Sequence, residues 1–337
     1  MRAVVLHGAG DLRVEERSPP PREPGLVGVR IVAGGICGSD LHYFRHGRTG
    51  SFVVTEPLVL GHEIAGVVEE ADAVAGLEPG TPVAVNPARF CGRCRACEGR
   101  RPNLCENLFF MGSASRTPHM QGGFREIVDV APEQCFPVPP SLPLPHAALA
   151  EPLAVCLHAV GRAGPIEGRS VAIHGAGPIG LLLLLVCRLR GAASVRVVDV
   201  AEAPLRFAQR LGADEVVRAD APPENLTPPD VAFEASGSPA GLSAAMEGVR
   251  RGGIVVQVGN LAAGPLPIPA NLTMSKELDL KGSLRFGHEF GEAVDLIASG
   301  AIDVSGLITA EASLADAPQA FALAADRSRS IKVVLRA

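Results

Sequence analysis

No uninterrupted apolar run in this sequence is long enough to cross a membrane. The run Leu181 to Cys187 is seven residues, where a span needs about 20. The start, MRAVVLHGAGDLRVEE, carries too short an apolar run for a secretory signal. Positive charge is not in excess. The formal net charge is -5, which gives no electrostatic reason to expect nucleic acid or an anionic membrane as partner. A paired cysteine framework is also missing, so the eight cysteines point to a reducing compartment, the cytoplasm. There is no internal repeat and no low-complexity tract, and the proline-rich run Pro137 to Pro145 reads as a short rigid connection. Tryptophan is absent, tyrosine occurs once, as Tyr43, and lysine stands only at 276, 281 and 332. The scarcity of lysine beside abundant arginine reads as genome composition.

What is present describes a globular protein with large cores. The chain has 337 residues, 47% hydrophobic and 20% charged, more than one core usually holds, so two domains are expected. The first 150 or so residues hold short β-branched runs between turn signals: Gly28 to Ile31, Ile64 to Val68, Pro82 to Val85 and Ile127 to Val130. They predict a mostly antiparallel β domain. After Pro152 the character changes. The runs SVAIHGA, SVRVVDV, EVVRA, DVAFEAS, GGIVVQVGN and DLKGS alternate with helical segments such as Pro178 to Arg190 and Pro204 to Leu211. Near-continuous apolar strands joined by helices predict a parallel sheet covered on both faces. From about Gly291 a helix (EAVDLIASG), short pieces and a final strand (KVVLR) are expected.

Three clusters carry chemistry. Cys91, Cys94, Cys97 and Cys105 follow C-x2-C-x2-C-x7-C. Such spacing lets tight turns gather four sulfurs at one point, as a closed tetrahedral Zn²⁺ site requires. Such a site stabilises a lobe and does no chemistry. Gly175-Ala176-Gly177-Pro178-Ile179-Gly180 follows a predicted strand and opens a predicted helix. Its glycines allow a tight turn, close approach of a pyrophosphate and close helix–strand packing. The helix N-terminus then offers free N–H groups to the phosphates. Asp199 ends the next strand, where a carboxylate accepts from ribose hydroxyls and repels a 2′-phosphate, so NAD is expected over NADP. The third cluster is sparser: Cys37 in GGICGSDLH, His62 and Glu63 in LGHE, and Glu151 in EPLAV. One thiolate, one imidazole and a carboxylate leave a zinc position open, as catalysis requires. Either Glu63 or Glu151, exchanging with water, completes the shell, and Asp40 is the expected acceptor for the His62 N–H. Cys135, Cys156 and Cys187 read as buried apolar residues. His158 and His174 read as hydrogen-bonding residues of a helix end and a strand.

In the order GICGSD, GHE, the four-cysteine lobe, EPLAV and GAGPIG, the chain resembles a zinc-dependent medium-chain dehydrogenase of the polyol dehydrogenase branch. The resemblance spans essentially all of the chain. It implies a GroES-like β-rich zinc domain over residues 1–152 and 290–337, around a doubly wound Rossmann NAD-binding domain over 153–289. It implies two Zn²⁺ per chain, one catalytic and one structural. Cys37, His62, Glu63 and Glu151 match the catalytic zinc positions, and Ser39 and His42 match a proton relay. Val258, Gly259, Leu284 and Arg285 join the glycine motif and Asp199 around NAD. Pro204 stands where many polyol dehydrogenases carry an arginine, a departure that bears on the grip on adenosine.

The segments GGICGSDLHYFRHGRTGSF, FFMGSASRTPHMQGGF and KGSLRFGHEF lean toward members of the branch that oxidise a sugar acid at a secondary alcohol. Tyr43, His119 and Arg285 are then the substrate candidates. Arg116, His119 and His288 fit solvated loop positions equally well. A neutral polyol such as sorbitol or xylitol is the alternative substrate, and a non-enzymatic nucleotide-binding protein is a second alternative. The resemblance also implies a homo-oligomer, dimer or tetramer.

Overall fold

The computed structural model describes residues 1–19, 21–71, 77–222 and 225–337. Its chain divides into two units, Met1–Glu151 with Phe290–Asp326 and Lys332–Ala337, and Pro152–Glu289 with Arg327–Ile331.

The first unit is built on a twisted sheet that runs, from one edge, Cys135–Pro137, Pro82–Val85, Glu63–Glu70, Val27–Gly35, Lys332–Arg336 and Ile308–Ser313, with Ile127–Val130 also paired to Val27–Gly35. Every pairing is antiparallel except that of Ile308–Ser313 with Lys332–Arg336. Alternation places Val27, Val29 and Ile31 on one face, packed with Val68, Val83 and Val128. A second core gathers Tyr43, Leu60, Phe124, Phe321 and Leu335. In it the rings of Phe124 and Phe321 meet edge-on at 6.2 Å, a geometry that suits the quadrupoles of both rings. The expected final strand is therefore no appendage: Lys332–Arg336 is an interior strand of the first sheet.

In the second unit six parallel strands, Ser170–His174, Ser194–Asp199, Glu215–Arg218, Val231–Glu234, Ile254–Gln257 and Asp279–Gly282, take the spatial order 3-2-1-4-5-6 by position in the chain. That is the order of a dinucleotide-binding sheet, whose ligands lie beyond the C-terminal strand ends. The expected helix from Pro204 begins two residues earlier, at Glu202. A proline in the first turn costs nothing there, because its missing N–H would have had no helical partner. The helix expected over EAVDLIASG likewise starts early, at Glu289.

Helical residues Leu144–Ala163 are long and apolar enough to cross a membrane, but 72% of that window is buried inside the protein. They pack as core.

Asp230 ties the first strand of this sheet to the fourth. It accepts from Ser170 N–H at 2.9 Å, Ser170 Oγ at 2.8 Å and Arg250 Nε at 2.7 Å. The Arg250 guanidinium, then the Ser170 bonds, hold the carboxyl down to about 2 from an ordinary 3.8. A depressed native value contributes stability above the ordinary one and loses it as pH falls through the native one. Asp230→Asn should therefore lower Tm at neutral pH. The gap to the wild type should close as the scan descends to about pH 2, as thermal melts across that range will show.

Candidate active site

Cys37 sits where the strand Val27–Gly35 gives way to the helix Gly38–His46, as the residue just before its first turn. Asp40 in that turn reaches back, its Oδ2 accepting the Cys37 N–H at 2.9 Å. This satisfies one of the donors a helix start leaves over. Glu63 begins the neighbouring strand Glu63–Glu70, with His62 just before it, and Glu63 lies opposite Gly35 in register. Strand pairing thus brings Cys37, His62 and Glu63 together, their ligand atoms all within 4.8 Å of one another. The His62 ring lies 5.6 Å from that of Phe110. Its Nδ1 is 3.7 Å from Asp40 Oδ1, within ionic reach but beyond a hydrogen bond. Asp40 spends its hydrogen bonds on Cys37 N–H and, at 3.4 Å, Gly61 N–H.

The electrostatics ask for a cation. Asp40 is fully buried, Glu63 is 1% exposed and Glu151 4%. Burial, then the Glu63 carboxylate, pushes the Cys37 thiol up to about 12. Burial, with further push from Glu63 and Cys37, raises Glu151 to about 8, against the pull of His62 and Lys332. Acids packed where their charges are disfavoured fit a divalent ion that neutralises them. Glu151 is not among the three residues whose ligand atoms cluster. Lys332 is, by contrast, an unexpected member of the site. Its ammonium is buried and donates to Glu63 Oε1 at 2.8 Å, Glu63 Oε2 at 2.7 Å and the Ile36 carbonyl at 3.1 Å. Nothing local in the sequence marks it; only the long-range pairing of its strand brings it here.

Ser39 and His42 are three apart on the helix Gly38–His46 and so share a face, Ser39 half-buried and His42 exposed. Tyr43 is buried, and its hydroxyl accepts the Ala114 N–H at 3.0 Å. His119 corrects an expectation. The ring is buried, with Nδ1 2.7 Å from the Arg116 carbonyl and Nε2 accepting the Thr55 N–H at 2.9 Å. Both nitrogens are spent on backbone, so the residue braces its loop and has no ring atom left for a substrate. Arg116 is exposed.

The four-cysteine lobe gathers as its spacing predicts. The ligand atoms of Cys91, Cys94, Cys97 and Cys105 lie within 4.8 Å of one another. The 3.6 Å between the Cys94 and Cys97 sulfurs is far too long for a disulfide. It is close to the ~3.8 Å edge of a tetrahedron with 2.3 Å zinc–sulfur bonds. Cys135, Cys156 and Cys187 are buried thiols away from both clusters.

In the second unit the cofactor candidates all lie at or just beyond strand C-termini, at one end of the parallel sheet. The three glycines differ in what they permit. Gly175 has φ 110°, and a Cβ there would meet the Ser236 nitrogen at 2.7 Å. At Gly180 a Cβ would strike the Gly175 carbonyl, whereas Gly177 has open space around its missing Cβ. So Gly175 and Gly180 serve the fold, and Gly177 leaves a bare approach to the start of the helix Pro178–Leu189, which has no side-chain cap. That is the shape a pyrophosphate needs. Ile179 lies in the first turn of the same helix. Asp199 accepts Ala176 N–H at 2.7 Å and Ala201 N–H at 2.9 Å, one bond on each oxygen, which leaves a lone pair on each for ribose hydroxyls. Val258 and Gly259 follow the fifth strand, and Leu284 and Arg285 the sixth. Leu284 is 53% exposed, and Arg285 holds φ 51°, a left-handed conformation rare for a side chain of its size. His158, expected at a helix end, lies inside the helix Ala150–Ala163, with its Nδ1 2.8 Å from Glu289 Oε1. His174 closes the strand Ser170–His174, and burial, then Arg196, pushes it down to about 4.

Residues 23–140 match the model of the alcohol dehydrogenase GroES-like domain, and residues 178–299 that of the zinc-binding dehydrogenases. The chain is 38% identical to the L-idonate 5-dehydrogenase (NAD(P)(+)) of Escherichia coli K12, over 99% of this chain and 98% of that one. The crystal structure of the Escherichia coli protein superposes with a TM-score of 0.93 at 36% identity, covering 100% and 98%. The sorbitol dehydrogenase of Bacillus subtilis is 35% identical over 93% of this chain and 90% of its own. An alcohol dehydrogenase from Escherichia coli CFT073, solved with NADH, gives a TM-score of 0.90 at 27% identity, covering 100% and 99%. The chain belongs to the zinc-dependent alcohol dehydrogenases of the medium-chain family. Within that family it is an oxidoreductase of the group that holds the polyol and sugar-acid dehydrogenases, with zinc and a nicotinamide dinucleotide as cofactors.

Proposed function

We propose that the chain interconverts L-idonate and 5-keto-D-gluconate by hydride transfer at a secondary alcohol, with NAD as the preferred coenzyme. The observation that carries the reaction class is the pairing of an open three-ligand cluster, Cys37, His62 and Glu63, with a closed four-thiolate one. A protein that only bound nucleotide would have no use for the open cluster. The choice of substrate is supported by the identity to the idonate enzyme along almost the whole chain. A cation at Arg285, beyond the sixth strand of the sheet, suits a carboxylate.

When bound, zinc would supply Lewis-acid polarisation of the substrate hydroxyl and the dinucleotide the redox chemistry. Cys37 and His62 would hold the ion, with Glu63 or Glu151 beside them. Ser39 Oγ would accept the hydroxyl proton as it gives up its own toward His42 on the same helix face, and His42, which is exposed, would release a proton to water. Water beside Glu151 offers a second route for the proton. Asp199 receives the adenosine ribose through its spare lone pairs.

The test is the rate of NADH formation with L-idonate, sorbitol and xylitol, repeated with NADP⁺. A site built around a charge leaves that charge unpaired when a neutral analogue binds. Idonate should therefore lead in kcat/KM by about 30- to 1000-fold, or ~2–4 kcal/mol. Arg285→Ala should shrink that lead more than it slows a neutral polyol, with NAD⁺ binding measured alongside. Equal kcat/KM for idonate and sorbitol would favour the polyol reading, which the Bacillus subtilis relative supports. Silence with all three would favour the non-enzymatic one, and a strong NADP⁺ preference would overturn the role given to Asp199.

We also assign a homo-oligomer, dimer or tetramer. Asp279–Gly282 is the edge strand of its sheet, with Leu280 38% exposed, and an uncovered edge invites pairing. Sedimentation at the mass of a single chain would contradict this.

A further inference from the structure

We propose that His42 and His46 form a further, exposed metal site: a two-imidazole chelate for a dication such as Zn²⁺ or Ni²⁺, seated on the helix Gly38–His46 and separate from both cysteine clusters. When filled, it takes His42 out of the proton path and slows turnover. The site rests on the two rings alone. Its effect on turnover rests on the reading of His42 as the end of the relay.

Helix geometry builds the pair. Residues four apart are neighbours on one face, with Cβ atoms about 5–6 Å apart, and His42 and His46 stand four apart within one helix. Their ring centroids lie 5.8 Å apart, with the planes inclined at 42°. That inclination is neither stacked nor edge-on, so the pair is not an aromatic contact of either favoured kind. The separation is close to that of two ligands. Two imidazoles on one tetrahedral zinc, with ~2.0–2.1 Å bonds to nitrogen, place their centroids ~5 Å apart. A small rotation about the side-chain bonds closes the difference, and both residues are exposed, so the core does not oppose it.

The surroundings admit a cation. His46 is the last residue of the helix, which ends in a left-handed Gly47 whose N–H donates to the Tyr43 carbonyl at 2.8 Å. The carbonyls of a last turn carry partial negative charge, which favours a cation there. The two arginines of this stretch reach backbone oxygens: Arg45 the Ala325 carbonyl at 3.5 Å, Arg48 the Gly50 carbonyl at 3.0 Å. Imidazole is a donor that zinc, nickel and copper share, and two histidines four apart on a helix are a known way to hold zinc. Among the described residues the groups of three or more metal-ligating side chains are those of Cys37 and of Cys91, so His42 and His46 have no third such partner. Water completes the shell, and the ion exchanges with its concentration in solution, unlike one enclosed by four thiolates. A neutral imidazole has one nitrogen lone pair to offer. With that pair on a metal, His42 cannot receive a proton from Ser39.

The test adds Ni²⁺ to holoenzyme that already holds its zinc. Wild type and His46→Gln are compared by equilibrium dialysis against Ni²⁺, with nickel and zinc counted by elemental analysis. The rate of NADH formation is followed over the same nickel range, with whichever of L-idonate, sorbitol and xylitol the enzyme oxidises. His46 is exposed and lies outside the relay, so without nickel the variant should turn over as the wild type does. Wild type should take up about one nickel per chain beyond its zinc and lose turnover as it does so. His46→Gln should need about tenfold more nickel, or more, for both effects, because a single imidazole forfeits the chelate. Equal uptake by the two proteins, or none by the wild type, would overturn the proposal. Uptake that depends on His46 while turnover holds steady would keep the site and bring down the relay role of His42 instead. Should His46→Gln not fold, His42→Gln decides by dialysis alone, since it too should lose the added nickel.

Discussion

Replacing His62 with alanine should cut kcat/KM by about 1000-fold or more and take zinc content from about two to about one per chain. The imidazole is 6% exposed and sits among ligand atoms within 4.8 Å of one another. Its removal leaves Cys37 with a carboxylate that Lys332 already binds through two hydrogen bonds. Two donors of which one is shared hold zinc poorly. Loss of Lewis-acid polarisation costs several kcal/mol of barrier, and each 1.4 kcal/mol is tenfold in rate. The fold should lose far less. The His62 side chain contributes a ring contact with Phe110 and a 3.7 Å approach to Asp40. Steady-state kinetics, elemental analysis and a thermal melt on one preparation check the three parts together. A variant with about two zinc ions and undiminished turnover would remove His62 from the site.

Cys105→Ala should do the reverse: a large loss of stability with zinc again at about one per chain. Cys105 is the buried member of its cluster, and its sulfur also accepts the Cys91 N–H at 3.3 Å. The lobe around it has one α-helical turn, Arg95–Glu98, one 3₁₀ turn, Pro102–Leu104, and little apolar burial. The ion is therefore most of what organises it, and binding free energy becomes folding free energy. In zinc-finger peptides that is about 10–16 kcal/mol; a lobe tethered to a folded domain should feel a fraction of it as a fall in Tm. The metal-free thiols are pulled apart: backbone donation at Arg93 brings Cys91 down to about 6, while burial and its cysteine neighbours push Cys97 up to about 12. Zinc holds all four as thiolates, so protons compete with it. Release to a chelator should accelerate as pH falls and slow as it rises. Pulsed release experiments across pH read this directly, and a pH-independent rate would argue against four thiolate ligands.

The second unit was the more legible in sequence, because local signals carry it. Its first, second, fourth and fifth strands are short runs rich in apolar residues, and the glycine motif needs only its own strand and helix to take shape. The four-cysteine lobe is equally local. The open cluster was legible as residue types, but its internal arrangement was not. Cys37 and Glu63 meet through strand pairing, and Lys332 joins them from 269 residues away. No periodicity in KVVLR distinguishes a lysine that enters the core from one that caps an exposed edge. His119 shows the opposite failure. A histidine in a loop of small and polar residues looks available, and only the positions of the Thr55 N–H and the Arg116 carbonyl show both nitrogens occupied. Pro204 misplaced a helix start by two residues, since proline is as comfortable late in a first turn as at its beginning.

The single tyrosine gives the protein an optical property. With no tryptophan in the chain, its intrinsic emission beyond that of phenylalanine arises from one phenol. That phenol is 2% exposed, on the helix that follows Cys37, with its hydroxyl tied to the Ala114 N–H. Intrinsic fluorescence therefore reports one place, the core beneath the candidate active site, and not an average over the molecule. A melt followed by tyrosine emission records when that core opens, and one followed by far-ultraviolet circular dichroism records both units. A gap between the two curves would measure how independently the catalytic core and the nucleotide-binding sheet unfold.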